Sequence, residues 1–264
     1  MDTQPPVVSV LMTAYNREKY ITEAIESVLS STYTNFELII VDDGSTDNTV
    51  KIANAYAAKD SRIRVYQNEK NLGDYVNRNK AASYSAARYI KYLDSDDRMY
   101  PYGLQEMVNG MEQFPGAGFG LSSMPQLDKH YPLCIEPHEI YKEHFEGFGH
   151  FDRAPGSAII NREAFNSVGG FTGKRMIGDY ELWFTLARTF SLVKLQRDLV
   201  WDRIHPDQER QTDYAKRYAA LKKEIFDTAL AHAGCPLSAE EKKKYTQEKM
   251  ITRSKRIVKK ILGR

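Results

Sequence analysis

Three carboxylates stand within four residues in the segment Tyr-Leu-Asp-Ser-Asp-Asp at residues 92–97. They follow an apolar segment, residues 89–93, whose composition is typical of a buried strand. Hard divalent cations such as Mg2+ or Mn2+ take oxygen ligands, and the protein supplies only one or two of them when a phosphate supplies others. Asp94 and Asp96 at a strand end therefore suit a metal-diphosphate, although Asp-rich turns also form for hydrogen-bonding reasons alone.

Two more polar segments follow buried-strand patterns in the first half of the chain. Residues 7–12 lead into residues 13–17, and residues 36–41 lead into Asp42 and Asp43. Helical periodicity over residues 19–30, 46–56 and 76–87 alternates with these strands and with another at 63–67. This alternation predicts an α/β fold with a mostly parallel central sheet flanked by helices. Because ligands bind outside the carboxyl ends of such strands, all three polar segments are expected at one edge of the sheet.

The second half of the chain is less regular. Its patterns predict helices at 101–111, 162–168 and 179–190, strands at 117–122, 157–161, 192–195 and 199–204, and a loop-rich segment at 125–151. From residue 211 onward the pattern is helical, with an interruption at 234–236. We therefore expect a domain over residues 1–206 and a helical C-terminal extension over residues 207–264.

Composition is ordinary for a globular protein, with 42% apolar and 27% charged residues. No apolar run is long enough to span a bilayer, and residues 1–6 lack the features of a signal peptide, which predicts a cytoplasmic location. Cys134 and Cys235 fit no metal or redox spacing, so two reduced thiols are expected. No glycine-rich Gly-x-Gly-x-x-Gly segment follows a strand, which argues against a Rossmann dehydrogenase.

The basic residues are concentrated at the C-terminus. Residues 242–264 hold ten Lys or Arg against the single acid Glu248. Within residues 250–264 apolar pairs recur at spacings of seven and four, a pattern that indicates a basic amphipathic helix. Such a helix could lie peripherally on the inner face of a membrane, or pack on its own domain or on a second copy of the chain; these alternatives stay open. No nucleic-acid-binding module accompanies it, so nucleic acid is not an expected partner.

Several motifs in order resemble those of family 2 glycosyltransferases. They are Thr-Ala-Tyr-Asn at 13–16, Val-Asp-Asp-Gly-Ser-Thr-Asp at 41–47, Leu-Asp-Ser-Asp-Asp at 93–97, Gly-Gly-Phe at 169–171 and Asp-Tyr-Glu-Leu-Trp at 179–183. The resemblance covers about residues 6–206. It implies the nucleotide-diphospho-sugar transferase fold called GT-A, and sugar transfer with inversion at the anomeric carbon.

The resemblance also implies how a nucleotide sugar, most simply a UDP-sugar, would be bound. Asp42 would accept the N3–H of uracil, which an ionised carboxylate is suited to do. Tyr15 would border the base and Thr13 would bond its edge, while Asp94 would hold the ribose hydroxyls. Arg78 lies where the family has an arginine near the nucleotide, although its flanking residues depart from the family pattern.

A divalent metal and a catalytic base are implied as well. Asp96 would bind Mn2+ or Mg2+, and His205 resembles a histidine that reaches the metal or the diphosphate. Asp179 matches the base that deprotonates the acceptor hydroxyl, and it would also cap a helix, whose N-terminus would lower its pKa. The family commonly has an acid before this base, where this chain has Gly178, and Glu181 is the alternative base. Asp97 has no assigned role.

The predicted activity is therefore transfer of a sugar from a nucleotide-diphospho-sugar to a hydroxyl of a glycan or lipid-linked saccharide, as in the synthesis of cell-surface polysaccharides. Two alternatives remain. One is a catalytically silent nucleotide-sugar binding protein. The other is a nucleotidyltransferase, which would need a glycine-rich basic loop after the first strand, where residues 13–19 contain no glycine.

Overall fold

A computed structural model describes residues 5–122, 130–206 and 212–247. The predicted amphipathic helix at 250–264 lies outside these residues. The strands are β1 Val8–Ala14, β2 Phe36–Asp42, β3 Ile63–Gln67, β4 Tyr89–Asp94, β5 Arg98–Met99, β6 Phe119–Leu121, β7 Leu133–Ile135, β8 Ala158–Asn161, β9 Leu192–Lys194 and β10 Val200–Trp201. The α-helices are α1 Ile21–Leu29, α2 Thr49–Ala57, α3 Asp74–Ser83, α4 Gly103–Gln113, α5 Pro137–Glu143, α6 Arg162–Ser167, α7 Gly178–Ala187, α8 Thr212–Ala231 and α9 Ala239–Gln247.

Within the described residues, eight strands form one sheet in the order β3-β2-β1-β4-β8-β6-β9-β7. The four neighbours β3, β2, β1 and β4 are parallel. Strand β8 is antiparallel to both β4 and β6, so β6 and its parallel neighbour β9 point the same way as β4. The edge strand β7 is antiparallel to β9. The predicted α/β architecture with a mostly parallel central sheet is confirmed.

The strands of the first half have both faces covered. Every residue of β2 is buried, and alternate residues of β1 belong to two different hydrophobic clusters. Leu11 packs in one cluster with Ile39 and Tyr92, whereas Val10 and Met12 pack in the other. The uninterrupted apolar runs in the sequence are explained by these two cores, because parallel strands are covered by helices on both sides.

Two segments differ from their predicted structure. The third helix begins at Asp74, two residues before the predicted start, because Gly73 adopts a positive φ of 87° immediately before it. The predicted loop-rich segment contains strand β7, helix α5 and a π-helical turn, His144–Phe148. Pro137 stands at the start of α5, a position where its missing N–H costs nothing.

The helices α8 and α9 pack on the main body of the protein. Phe226 of α8 and Tyr245 of α9 lie against Phe145, with ring centroids 4.2 and 5.6 Å apart. Both belong to the cluster that also contains Trp183 and Phe184 of α7. This part of the predicted extension therefore shares a core with residues 1–206, and the division of the chain at residue 206 stays a prediction. The helices that the structure describes include none that is both long and apolar enough to cross a membrane.

Candidate nucleotide-sugar site

A cavity of about 720 Å³ opens at the carboxyl ends of β1 and β4. The segment that leads into α3 forms one wall, and two residues before α7 close another side. Its lining residues are Thr13, Ala14, Tyr15, Arg17, Asp43, Asn71, Leu72, Gly73, Asp74, Tyr75, Val76, Asn77, Arg78, Asp94, Ser95, Asp96, Gly173 and Arg175. The structure therefore brings together five of the residues singled out in the sequence: Thr13, Tyr15, Arg78, Asp94 and Asp96.

The loop after β1 is fixed by hydrogen bonds to the loop after β2. Asn16 has a left-handed backbone, with φ of 52°, and its side-chain oxygen accepts the Thr46 N–H at 2.9 Å. The Asn16 N–H in turn donates to Ser45 Oγ at 2.8 Å. Asn tolerates this backbone conformation better than most residues do. These bonds leave Tyr15 beside the cavity with 45% of its surface exposed.

The Asp42 carboxylate is directed into its own loop and does not line the cavity. It accepts the N–H groups of Gly44 and Ser45, at 3.1 and 2.9 Å, together with the Ser45 hydroxyl. Its neighbour Asp43 lines the cavity instead, and its carboxylate accepts Leu72 N–H and Gly73 N–H, both at 2.9 Å. The placement expected for Asp42 is therefore wrong. Successive side chains leave a strand in opposite directions, so the sequence could not choose between these adjacent acids without the exact end of β2.

Arg78 is the buried cation of the cavity. Its Nη2 donates to Asp94 Oδ1 at 2.6 Å and its Nε to Asp74 Oδ1 at 2.8 Å. Burial lowers the pKa of Arg78 while the charges of Asp74 and Asp94 raise it, and the balance lies well above the ordinary value. The remaining nitrogen, Nη1, is buried and has no hydrogen-bond partner among the described residues.

Asp96 lines the cavity, and His205, which does not line it, contacts Asp96. His205 Nε2 lies 3.1 Å from Asp96 Oδ2, and only 4% of the His205 side chain is exposed. The His205 ring packs against Tyr20, with centroids 4.4 Å apart. Arg17 Nε also contacts Asp96 Oδ2, at 2.9 Å. The two predicted metal ligands, Asp96 and His205, are therefore in contact. The Asp96 oxygen that His205 contacts also accepts a hydrogen bond from Arg17.

The pair can hold a divalent ion only with help from another ligand. In the part of the chain that the structure describes, no group of three or more His, Cys, Asp or Glu side chains could hold a metal. The 3.1 Å separation of Asp96 Oδ2 and His205 Nε2 would let both side chains bind one divalent ion. Carboxylate oxygen and imidazole nitrogen suit Mn2+, and phosphate oxygens would complete the shell.

Asp97 has a structural contact. Its Oδ1 accepts the Arg203 N–H at 2.9 Å, and Arg203 Nε donates to the carbonyl of Asp96 at 2.8 Å. Burial, with a smaller effect of the Asp94 charge, raises the pKa of Asp97 to about 7. These bonds join the segment after β4 to the segment after β10, which also carries His205.

Asp179 lies in the first turn of α7 and is not the residue that caps it. The helix begins at Gly178, and its N-cap residue is Ile177. Burial raises the pKa of Asp179 to about 6, against the lowering effect of hydrogen bonds from the Tyr180 N–H and from Tyr75. The expected lowering of this pKa is therefore wrong, because burial outweighs the helix terminus. Asp179 does not itself line the cavity, but Tyr75, its hydrogen-bonding neighbour, does.

The alternative base, Glu181, is engaged elsewhere. Its carboxylate accepts the Thr172 hydroxyl and pairs with Lys174 at 2.9 Å. At the position before Asp179, Gly178 leaves room for the Tyr75 ring, since a Cβ there would lie 2.9 Å from a ring carbon. The acid that the family commonly has at this position would collide with Tyr75 in this chain.

Four cavity residues with charged side chains were absent from the predicted site: Arg17, Asp43, Asp74 and Arg175. Arg17 and Asp43 belong to the strand-end segments already expected at this edge, so topology alone pointed to them. Asp74 opens α3, and nothing in its local sequence distinguishes it from an ordinary acid in the first turn of a helix.

A mostly parallel sheet that collects carboxylates and a buried arginine around one cavity at its strand ends defines a protein of the GT-A fold. The family model "Glycosyl transferase family 2" matches residues 9–169, more than half of the chain. The chain belongs to glycosyl transferase family 2.

Curated relatives agree with this membership. The chain is 43% identical over 109 residues to EpsE of Bacillus subtilis (strain 168), an alignment that spans 41% of this chain and 39% of EpsE. A longer alignment, 28% identical over 217 residues, joins it to the uncharacterized glycosyltransferase RP339 of Rickettsia prowazekii (strain Madrid E) and spans 78% of this chain and 67% of that one. The chain thus spans about two fifths of the length of the first relatives that it matches.

Solved structures share the fold. S. aureus TarS 1-349 in complex with UDP superposes with a TM-score of 0.66 at 19% identity, over 90% of this chain and 69% of that one. The mannosyltransferase PcManGT from Pyrobaculum calidifontis, in complex with GDP-Man and Mn2+, superposes with a TM-score of 0.61 at 16% identity, over 86% of this chain and 64% of that one.

Proposed function

We propose that this protein is an inverting glycosyltransferase that moves a sugar from a nucleotide-diphospho-sugar to a hydroxyl of a glycan or lipid-linked saccharide. The observation that carries the proposal is the cavity in which Asp94, Asp96 and the buried Arg78 meet at the strand ends. Family membership supports the class of reaction. A UDP-sugar is favoured because TarS, which shares the fold, was solved with UDP and with UDP-GlcNAc.

The donor base would lie against the loops after β1 and β2. Asp43 replaces Asp42 as the carboxylate that accepts the uracil N3–H, since Asp43 lines the cavity and Asp42 does not. Tyr15 and Thr13 border the same space. Arg78 holds Asp94 in place, and Asp94 accepts hydrogen bonds from the ribose hydroxyls.

Asp96 and His205 would hold a divalent metal together with phosphate oxygens of the donor. When bound, the metal supplies Lewis-acid stabilisation of the nucleoside diphosphate as it leaves. PcManGT supports this role, since it was solved with Mn2+ and GDP-Man.

Asp179 would be the base that takes the proton from the acceptor hydroxyl. A displacement with inversion requires this proton to leave as the hydroxyl oxygen attacks the anomeric carbon. A pKa of about 6 leaves Asp179 mostly ionised at neutral pH, yet makes it a stronger base than an exposed aspartate. Tyr75, which lines the cavity, is a neighbour of Asp179 and lowers its pKa through a hydrogen bond.

A cytoplasmic location beside a lipid-linked acceptor is compatible with this class of reaction. We place the enzyme in the cytoplasm, with residues 250–264 holding it against the membrane surface where a lipid-linked acceptor would lie, in the synthesis of cell-surface polysaccharide. Liposome sedimentation with and without residues 250–264 tests this placement: equal binding of the two chains contradicts it.

A panel of UDP-, GDP- and dTDP-sugars, with and without Mn2+, tests the donor. The expected result is thermal stabilisation by UDP-sugars that requires Mn2+, followed by release of UDP when a suitable glycan acceptor is present. Stabilisation by none of the three classes contradicts the proposal. Binding that matches wild type in an Asp179→Asn variant, with transfer absent from both proteins, would favour the silent binding protein instead.

A further inference from the structure

Arg17 forms an ion pair with the carboxylate of Asp96, which is a proposed metal ligand. Its Nε lies 2.9 Å from Asp96 Oδ2, the oxygen that His205 also contacts at 3.1 Å. The Arg17 side chain is 25% exposed and that of Asp96 is 13% exposed, so this ion pair is partly screened from water. In the site as observed, the charge of Asp96 is therefore neutralised by an arginine.

Both partners are held by their own loops. Arg17 Nη1 donates to the carbonyls of Tyr15 and Asn16, at 3.1 and 3.2 Å, and the Arg17 N–H donates to Thr49 Oγ1 at 2.7 Å. On the other side, Arg203 Nε holds the Asp96 carbonyl. The backbones of the two loops, one after β1 and the other after β4, are therefore fixed, whereas the Arg17 guanidinium is retained by hydrogen bonds of its side chain alone.

An arginine in this position competes with a divalent ion. The guanidinium occupies a lone pair of Asp96 Oδ2, and its charge repels a second cation placed on the same oxygen. The guanidinium also suits phosphate, because its planar N–H groups match phosphate oxygens in pairs. Arg17 lines the cavity, and its Nη2 donates no hydrogen bond to a described residue.

From this geometry we infer that Arg17 is a mobile counterion, which neutralises Asp96 in the empty site and moves to the diphosphate of the donor when the metal takes Asp96. The inference rests on the proposed function for its ligand, a metal-nucleoside diphosphate. The exchange makes metal binding depend on the nucleotide. The metal alone would bind weakly, because it must displace Arg17 from Asp96. The metal with nucleotide would bind well, because the displaced guanidinium then binds the phosphates.

An Arg17→Gln variant tests both halves of this exchange. Mn2+ binding without nucleotide, followed by electron paramagnetic resonance, is expected to tighten about fivefold or more once the competing charge is removed. UDP binding at saturating Mn2+ is expected to weaken about fivefold or more, because a charge-assisted contact to the diphosphate is lost. An Arg17→Lys variant, which keeps the charge, should bind Mn2+ alone within about twofold of wild type.

Arg88→Gln is the matched control. It removes the same charge from an exposed ion pair with Glu112, and Arg88 does not line the cavity. Both affinities should stay within about twofold of wild type in this control. Circular dichroism melting of each variant shows that it is folded.

Two results would overturn the inference. The first is Mn2+ affinity in folded Arg17→Gln that stays within about twofold of wild type, and the second is unchanged UDP affinity. Absence of Mn2+ binding from every protein in the set overturns it as well. Because none of these measurements needs sugar transfer, tighter Mn2+ binding in a chain that transfers no sugar keeps the inference and contradicts the proposed activity.

Discussion

His205 Nε2 lies 3.1 Å from Asp96 Oδ2, although 109 residues separate the two along the chain. Arg203 brings them together, because it bonds the carbonyl of Asp96 and the carboxylate of Asp97 just before His205. The segment after β10 thereby returns to the carboxyl end of β4. The proposed metal pair is thus a product of the tertiary fold and cannot be found in any local stretch of sequence.

The pair predicts a loss of metal binding when either member is replaced. Asp96→Asn and His205→Phe should each weaken Mn2+ binding in the presence of UDP by about tenfold or more, since even changes around a metal's ligands cost 10- to 100-fold. Phe keeps the ring that packs on Tyr20, so folding should be preserved. Thermal shift with UDP and increasing Mn2+ measures the effect; full Mn2+-dependent stabilisation of Asp96→Asn would contradict the metal assignment.

The sequence was sufficient to predict the edge of the sheet at which the site forms. Buried apolar runs ending in polar residues predicted this edge, because parallel strands all end at the same edge, and Thr13, Tyr15 and Asp94 line the cavity there. It was insufficient to choose between Asp42 and Asp43. That choice depends on which of the two side chains points toward β3 and α3, where the Asp43 carboxylate accepts hydrogen bonds from the N–H groups of Leu72 and Gly73.

The two adjacent acids should therefore respond differently to the same substitution. Asp43→Asn is expected to weaken UDP binding by about tenfold, because an amide oxygen is a weaker acceptor for the uracil N3–H than a carboxylate. Asp42→Asn leaves the cavity lining unchanged and should alter UDP affinity by less than about threefold, with a stability loss of about 1 kcal/mol from the Gly44 and Ser45 bonds. Calorimetric titration with UDP and Mn2+ measures the UDP affinity of each variant. Equal losses of affinity in the two variants would mean that Asp42 also belongs to the site.

The catalytic assignment predicts a variant that binds but does not turn over. Asp179→Asn should lower the transfer rate by about 10²- to 10⁴-fold, the usual contribution of a general base. Donor binding should be retained, because the proposed base acts on the acceptor hydroxyl and not on the nucleotide. Glu181→Gln is the matched control, since Glu181 pairs with Lys174 at the surface and should keep most of the activity. A larger loss in Glu181→Gln than in Asp179→Asn would exchange the two roles.

The raised pKa of Asp179 predicts opposite effects of pH on activity and stability. The base works only when ionised, so kcat/KM should rise with pH and reach half its maximum near pH 6. The folded state holds this proton more tightly than the unfolded chain, whose ordinary pKa is 3.8, so the associated stability is complete below about pH 4 and is lost as the pH rises through about 6. A pH–rate profile tests the first effect.

The second effect is tested by comparing melting curves of the wild type and Asp179→Asn across the same range of pH. The variant cannot ionise at this position, so the difference in melting temperature between the two proteins should change between pH 4 and pH 6 and stay constant above about pH 7. A constant difference throughout would show that Asp179 titrates normally.

This pKa could not be read from the sequence, because two effects of opposite sign act on Asp179. The start of a helix lowers a carboxylate pKa, and that much follows from the sequence pattern. Burial in the folded protein raises it, whereas a hydrogen bond from Tyr75 of α3, about a hundred residues away in the chain, lowers it. Only the packing of α3 against α7 decides which effect is larger.

The same packing accounts for Gly178 and makes it a sensitive position. Ala would favour the first turn of α7 by up to about 1 kcal/mol through helix propensity. Its Cβ, however, would lie 2.9 and 3.0 Å from carbons of the Tyr75 ring, and overpacking of this kind costs about 1–3 kcal/mol. The clash should outweigh the propensity, so Gly178→Ala should melt at a lower temperature than wild type. Gly116→Ala is the control, because nothing lies within 4 Å of its Cβ. Equal melting temperatures in the two variants would contradict this prediction, because they would mean that the Tyr75 ring moves aside at no cost. UDP affinity, which depends on the cavity wall that Tyr75 forms, would in that case be unchanged as well.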